Sequence, residues 1–95
     1  GAAPAVTLET LAEAYAPEAY AGATVTAQGD QRIIRITAPD GSPVVGAACT
    51  LHGAHVRTTD NAGAVSWPAS LLGPGEHVID VDSPEYEPYQ LRLVL

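Results

Sequence analysis

The sequence predicts an all-β fold: one antiparallel β-sandwich of about seven strands, preceded by a short N-terminal helix. Short stretches in which apolar and polar residues alternate run from residue 23 to the end of the chain. Turn-forming residues separate these stretches every ~8 to 12 residues, which is typical of sandwiches. The length of 95 residues allows one domain with a single core. We therefore divide the chain into an N-terminal arm, residues 1–22, and a sandwich domain, residues 23–95.

The helix is predicted near residues 8–15 of the arm. Its apolar residues recur at the spacing of one helical face: Leu8, Leu11, Ala12 and Tyr15. Pro17 cannot continue a helix and restricts the residue before it, so the helix should end near Tyr15. A helix of about ten residues is marginal alone, and we expect it to dock on a sheet edge or a neighbouring domain.

The domain begins with a predicted hairpin, in which residues 24–28 and 31–37 are joined by a type II′ turn at Gly29 and Asp30. Residues 33–36 are nearly all β-branched, which predicts a strand covered on both faces. Residues 45–51 alternate, and this pattern predicts that Val45, Ala47, Cys49 and Leu51 face the core.

Two turns are assigned to folding. In the turn at residues 60–63, Asp60 can accept hydrogen bonds from N–H groups two and three residues on. Gly63 can take the left-handed conformation that closes this turn. Pro74 and Gly75 suit the second and third positions of a type II turn. Substitution of Asp60 or Gly63 is therefore expected to lower stability.

Four short motifs resemble those of carboxypeptidase regulatory-like domains, which are also called transthyretin-like or prealbumin-type. Residues 40–47, D-G-S-P-V-V-G-A, are similar to the family's opening D-G-x-P-[VL]-x-G-A. Residues 58–63, 72–77 and 83–86 resemble its T-T-D-x-x-G, L-x-P-G-x-Y and x-P-G-Y. The resemblance spans roughly residues 31–95 and implies an Ig-like or transthyretin-like sandwich, while saying little about function. His77 and Glu85 depart from the family's aromatic residue and glycine.

The charge balance excludes several partners. Eleven acidic residues face four arginines and no lysine, for a net charge of −7. Nucleic acid and anionic membrane surfaces need clustered basic residues, so neither is an expected partner. No apolar run approaches the ~20 residues of a membrane span, and membrane insertion is not expected. A single cysteine excludes an internal disulfide.

Acidic residues concentrate late in the chain. Asp80 and Asp82 share one strand face, and with Glu85 and Asp60 they are weak candidates for a Ca²⁺ site. We favour a solvated face that also protects a sheet edge, and expect no metal and no cofactor.

Cysteine and histidine suggest a second metal hypothesis. Cys49, His52 and His55 are spaced three apart, and His77 could approach from a neighbouring strand. Alternation, however, directs Cys49 inward and places His52 at a turn. We therefore favour surface or turn histidines and a core thiol.

The aromatic residues leave two interpretations. Trp67 is in phase with Val65 and is predicted to lie in the core. Exposed, it could form a sugar-stacking platform with Tyr86 and Tyr89, which are weak ligand-binding candidates.

The catalytic templates do not fit the sequence. No serine lies in a G-x-S-x-G elbow, and Cys49 has no positive neighbour to activate it. The transthyretin-like fold can carry a hydroxyisourate hydrolase, but its C-terminal Y-R-G-S is missing here. Isopeptide crosslinks of related pilin or adhesin domains need lysine, which this chain lacks. We expect no enzyme activity.

The expected function is that of a non-catalytic accessory module: a spacer, stalk or protein-binding domain of a larger secreted, surface or virion-like protein. A chain of this length without Met is expected to be part of a longer polypeptide. Its partners would be neighbouring domains or another protein, and its location extracytoplasmic. The alternative is a carbohydrate- or ligand-binding domain that targets a secreted hydrolase. A partner at the acidic edge bearing Asp80 and Asp82 would have to be positively charged.

Overall fold

A computed structural model describes residues 9–15 and 22–95 of the chain. The described residues form eight β-strands and one 3-10 turn, Ala69–Leu71, so the all-β prediction is confirmed. The strands are β1 Glu9–Tyr15, β2 Gly22–Gln28, β3 Gln31–Thr37, β4 Ala48–Leu51, β5 His55–Thr58, β6 Ala64–Pro68, β7 Glu76–Asp82 and β8 Tyr89–Val94.

The strands form two four-stranded antiparallel sheets in a sandwich-like arrangement. The first sheet has the order β1-β2-β3-β6 and the second has the order β5-β4-β7-β8. Cα atoms of β1 approach those of β8, and Cα atoms of β5 approach those of β6. Each edge strand of one sheet therefore lies beside an edge strand of the other. Within residues 9–15 and 22–95, no helix has the length and hydropathy needed to cross a membrane.

The core lies between the two sheets and follows the alternation of the strands. Trp67 on β6 is 1% exposed and is the largest of the fully buried side chains, as its phase with Val65 predicts. In the second sheet, the inward-facing side chains of β4, β7 and β8 form the other half of the core. The buried apolar residues are Ala23, Val25, Ile34, Ile36, Ala38, Val44, Ala47, Cys49, Leu51, Val65, Trp67, Leu72, Ile79, Val81, Leu91 and Leu93.

The predicted N-terminal helix is wrong within the described residues, because Glu9–Tyr15 is a strand. Leu8 and Pro17 lie outside the described residues. β1 pairs with β2 along its length, with one register shift between Thr10 and Ala12. A helix of about ten residues has little stability of its own, whereas strand pairing supplies partners for the backbone groups of β2. Sheet pairing therefore overrides the local helical pattern, and the segment assigned to the arm forms an edge strand.

Two burial predictions also need correction. Residues 33–36 are covered on one face only: Ile34 and Ile36 are fully buried, Ile33 is half-buried and Arg35 is exposed. Val45 was expected in the core but is 44% exposed. The reason is that β4 starts at Ala48, after a left-handed Gly46 with a φ of +73° that breaks the alternation.

Gly29 and Gly75 both have the positive φ that their predicted turns need, although residues 74–75 form a bend without the hydrogen bond of a closed turn. Gly29 has a φ of +60°, as the first central residue of a type II′ turn requires. Gly75 has a φ of +120°, and its backbone exchanges two hydrogen bonds of 3.0 Å with Leu95. The bend that contains Pro74 thereby joins the start of β7 to the end of β8.

Among its crossings between the sheets, the chain passes from the first to the second between β3 and β4, and back between β5 and β6. Backbone contacts among residues 36, 43–47 and 59–64, which we call the corner, hold these two connections. The Ile36 N–H donates to Gly63 O at 2.9 Å, and the Val44 N–H donates to Ile36 O at 3.0 Å. Gly63 has a φ of +73°, the left-handed conformation expected of it. An added Cβ there would lie 2.5 Å from Ile36 O and 3.1 Å from the Pro43 side chain. Only glycine fits this position.

Thr59 completes the corner from the second sheet. Its N–H donates to Ala47 O at 2.9 Å, and its hydroxyl accepts from the Ala47 N–H at 2.9 Å. Its carbonyl accepts from the Gly46 N–H at 3.1 Å. Thr59 is 4% exposed, so these groups have little access to water and depend on one another.

We predict that Gly63→Ala lowers the free energy of unfolding by at least ~3 kcal/mol, because backbone strain and a clash with Ile36 O act together. Gly41→Ala is the matched control, since Gly41 has a φ of +87° but open space around its Cα. The control should cost about 1 kcal/mol from backbone strain alone. Urea unfolding measures both, and equal losses would contradict the steric account.

Candidate functional site

The outer face of the second sheet carries an open depression of about 330 Å³, which we call the outer depression. Its floor lies over Ala48 and Thr50 of β4, whose short side chains leave space above the sheet. Thr50 pairs with Asp80, and Asp80 pairs with Gln90, so these three side chains form one row across β4, β7 and β8. The lining residues are Ala48, Thr50, Asp80, Val81, Asp82, Pro88, Tyr89 and Gln90.

The outer depression is acidic. Asp80 is half-buried, and its Oδ1 accepts a hydrogen bond of 2.8 Å from Gln90 Nε2. Asp82 is exposed two residues further along the same strand. Further along this face, Arg92 Nη1 lies 3.8 Å from Glu76 Oε1, but both side chains are exposed and such a pair contributes little stability. The site thus presents two carboxylates to the solvent at the spacing of alternate strand residues.

The Ca²⁺ candidates are only partly brought together. Asp80 and Asp82 share the face predicted for them, while the exposed Glu85 lies in the loop between β7 and β8. In that loop the Glu85 N–H donates to Ser83 Oγ at 3.1 Å. In the described part of the chain, no group of three or more histidine, cysteine or acidic side chains is arranged to hold a metal ion.

The three aromatic candidates do not share an exposed surface. Trp67 is in the core, and its Nε1 has no hydrogen-bond partner among the described residues. Tyr86 and Tyr89 are half-buried and pack against the core. The Tyr89 hydroxyl is also buried and without a partner among the described residues, and burial raises its pKa to about 12, with smaller effects from Cys49 and Tyr86. Stacking of a sugar would need a flat exposed ring, which Trp67 does not offer.

Cys49 is a core thiol. It is fully buried, and its Sγ lies 3.7 Å from Ala47 O. Burial raises its pKa to about 11, so the thiol stays protonated at neutral pH and is a poor nucleophile and metal ligand. His55 lies on the exposed strand β5. The Cys49, His52 and His55 spacing therefore does not build one site.

The structure instead joins His52 to His77. His52 Nε2 lies 2.7 Å from His77 Nδ1, and His77 Nε2 lies 2.6 Å from Gly73 O. The ring centroids are 5.0 Å apart with planes 15° apart. With two nitrogens this close, that centroid separation means that the rings meet end to end rather than face to face.

When both histidines are neutral, the hydrogen bonds determine which ring nitrogens carry the protons. A carbonyl oxygen only accepts, so the proton of His77 lies on Nε2 and is donated to Gly73. His77 Nδ1 is then an acceptor, and His52 donates to it from Nε2. His77 is 7% exposed, although the sequence favoured surface or turn positions for the histidines, whereas His52 is exposed at a turn as expected.

The backbone holds His52 in place for this contact. His52 has a φ of +54° and is followed by Gly53 with a φ of +71°, the combination required by a type I′ turn. The Ala54 N–H donates to Leu51 O, and the His52 N–H donates to Val78 O, both at 3.1 Å. The sequence suggested His77 as a neighbour, but the pairing depends on the β4–β7 register, which local patterns do not reveal.

Asp60 and Asp40 cap their turns. Asp60 Oδ1 accepts from the N–H groups of Ala62 and Ala64 at 2.8 and 3.0 Å, so the second donor is four residues on rather than the predicted three. These bonds, from Ala64 first and then Ala62, hold the pKa of Asp60 below its ordinary value of 3.8. The Ser42 hydroxyl and N–H similarly lower the pKa of Asp40.

No protein-family model, no curated protein and no solved structure matches this chain.

We predict that Asp60→Asn lowers the free energy of unfolding at neutral pH. We also expect that free energy to fall less steeply in the variant than in the wild type as the pH is lowered into the acid range. A carboxyl whose pKa is lowered in the folded state stabilises above its unfolded value, 3.8, and loses that contribution as pH falls through the folded value. Asn keeps an accepting oxygen but has no charge to lose. Urea midpoints at pH about 6 and about 2.5 measure the difference.

Asp30→Asn serves as the control, because it removes one charge from a turn without removing these capping bonds. It should leave the profile closer to that of the wild type. Parallel profiles for Asp60→Asn and the wild type would contradict the assignment of Asp60 to the turn.

Proposed function

We propose that this chain is a non-catalytic accessory module that binds a protein partner within a larger secreted, surface or virion-like protein. We further propose that its sandwich is of the Ig-like, transthyretin-like type found in carboxypeptidase regulatory-like domains. The contacts between the motifs at residues 40–47 and 58–63, which are hydrogen-bonded to each other at the corner, support the fold part of this proposal. The accessory role is proposed because none of the catalytic templates fits the sequence, and the extracytoplasmic location is proposed together with that role.

The outer depression is the proposed binding surface, and the row across the sheet carries the proposal. In this row Val56 pairs with Thr50, Thr50 with Asp80, and Asp80 with Gln90. Val56 is 60% exposed, so the row places an apolar contact beside hydrogen-bonding and charged groups. Protein interfaces combine contacts of these kinds.

The proposed partner presents an extended segment with basic side chains. Asp80 and Asp82 are alternate residues on one strand, about 6 to 7 Å apart along it. An extended partner presents alternate side chains at the same spacing, so two basic residues can meet both carboxylates at once. The net charge of −7 attracts such a partner from a distance.

We predict that peptides with alternating basic and β-branched residues bind this chain, and that Asp82→Asn weakens binding. A spot array of such peptides, with neutral peptides of the same pattern beside them, tests the preference. Fluorescence anisotropy then measures Kd for the best peptide. Loss of one carboxylate should weaken binding roughly three- to tenfold, and raising salt from about 50 to about 150 mM should weaken it further.

Asp30→Asn is the charge-matched control, because Asp30 lies in the β2–β3 turn of the other sheet. It should change Kd much less than Asp82→Asn does. Equal effects of the two variants, or equal binding of neutral peptides, would refute this surface. Hits on a glycan array that are lost on Tyr86→Ala would instead favour the carbohydrate-binding alternative.

A further inference from the structure

The hydrogen bond between His52 and His77 ties the turn after β4 to the start of β7. The two ring nitrogens are 2.7 Å apart, and the His52 N–H adds a backbone bond of 3.1 Å to Val78 O. His52 has a φ of +54°, a left-handed conformation that non-glycine residues rarely adopt. Such a strained residue stays in place only where its contacts compensate for the strain. The bond between the rings is therefore part of what holds this turn.

The hydrogen bond exists only while His77 Nδ1 carries no proton. His77 Nε2 donates to Gly73 O at 2.6 Å, so Nδ1 is left to accept from His52 Nε2. A first added proton enters at His52 Nδ1, and the charged ring still donates to His77. A second added proton has to enter at His77 Nδ1. Two N–H groups then face each other, and the bond is lost.

The surroundings of His77 offer little to stabilise a charged ring. The residue is 7% exposed, and its cross-strand partner on β8 is the apolar Leu93. The carboxylates of β7 alternate with His77 and so lie on the outer face of the sheet: Glu76, Asp80 and Asp82. In the described part of the chain, no carboxylate forms an ion pair with either histidine.

The neighbouring elements add no balancing negative charge on the inner side. Arg32 lines a depression together with Gly73, so a positive charge already lies near the carbonyl that His77 binds. Asp30 is exposed in the β2–β3 turn. The other titratable or charged groups nearest to the pair in the strand register are Cys49 of β4, His55 of β5 and Arg92 of β8.

β5 is the element that depends on this turn. It is four residues long and, in the described sheets, pairs with β4 alone. All four of its residues are exposed, Val56 to 60%. Segments that bury little surface can open locally while the rest of the domain stays folded. Loss of the bond between the rings should therefore loosen β5 before the other strands.

We propose that the His52–His77 pair is an acid-sensitive latch for β5. The latch is closed while the pair is neutral or carries one added proton on His52. When the second proton enters at His77, the rings separate, the turn after β4 detaches from β7, and β5 opens from that end. Histidine changes its charge in the mildly acidic range, so the exposed edge of the second sheet becomes sensitive to acid there.

Nuclear magnetic resonance of the ¹⁵N-labelled chain at pH about 7.5 and about 4.5 tests the proposal. A nitrogen–nitrogen coupling across the hydrogen bond between His52 and His77 should be present at the higher pH and absent at the lower one. The lower pH is still above the ordinary carboxyl pKa of 3.8, and the pKa of Asp60 is lower still, so its turn stays capped.

Hydrogen exchange measures the opening of β5 in the same samples. Protection factors of the β5 amides should fall at least about tenfold on acidification. Those of Ile79 and Val81 in the middle of β7 should change by less than about twofold, because the rest of the sheet stays paired.

Two variants separate the latch from other effects of acid. His52→Asn removes the donor ring but keeps a residue that tolerates the left-handed turn. Its β5 protection should already be about tenfold lower at neutral pH, and acid should change it by less than about twofold. His55→Asn is the matched control, because it removes an exposed histidine from β5 itself. This control should keep the response of the wild type.

A coupling that persists at pH about 4.5 would overturn the proposal, as would a β5 response that survives in His52→Asn. Equal loss of protection in β5 and β7 would also overturn it, because acid would then unfold the whole domain. The coupling and the exchange of the wild-type chain give an answer that does not depend on any variant folding.

Discussion

The close approach of Gly63 to Ile36 and Val44 is the constraint on which the rest of the structure depends. The end of β3, the loop that follows it and the loop that precedes β6 meet there at backbone distance, with Gly63 O accepting from Ile36 and Ile36 O accepting from Val44. A side chain at position 63 would occupy the space of the Ile36 carbonyl. The contact sets where the chain leaves β3 for the second sheet, and where it returns to the first sheet at β6.

Both candidate sites follow from the position of β4 that the corner fixes. The hydrogen bonds between Ala47 and Thr59 start the pairing of β4 with β5, and β4 then pairs with β7. That register places Thr50 beside Asp80 in the outer depression. It also brings the turn after Leu51 next to β7, where His52 meets His77. The depression and the histidine pair are thus built on one strand, at its middle and its end.

The sequence predicted what depends on local chemistry and missed what depends on distant pairing. Alternation placed Cys49 and Trp67 in the core, and the turn residues Gly29 and Gly63 have the φ values expected of them. The helix prediction was wrong because it relied on the local spacing of apolar residues in the range 8–15. The strand forms instead by pairing with the free edge of β2, and that tertiary contact is not visible in the local spacing. The His52–His77 contact joins residues 25 apart, so only the strand register reveals it.

Native-state hydrogen exchange tests the central role of the corner most directly. If the corner holds the sheets together, the amides of Ile36, Ala47 and Thr59 open only when the whole domain unfolds. Their free energies of exchange should then equal those of Ile79 and Val81 in the middle of β7. Values lower by more than about 2 kcal/mol would show that the corner opens locally while the sheets remain together, and would contradict the account.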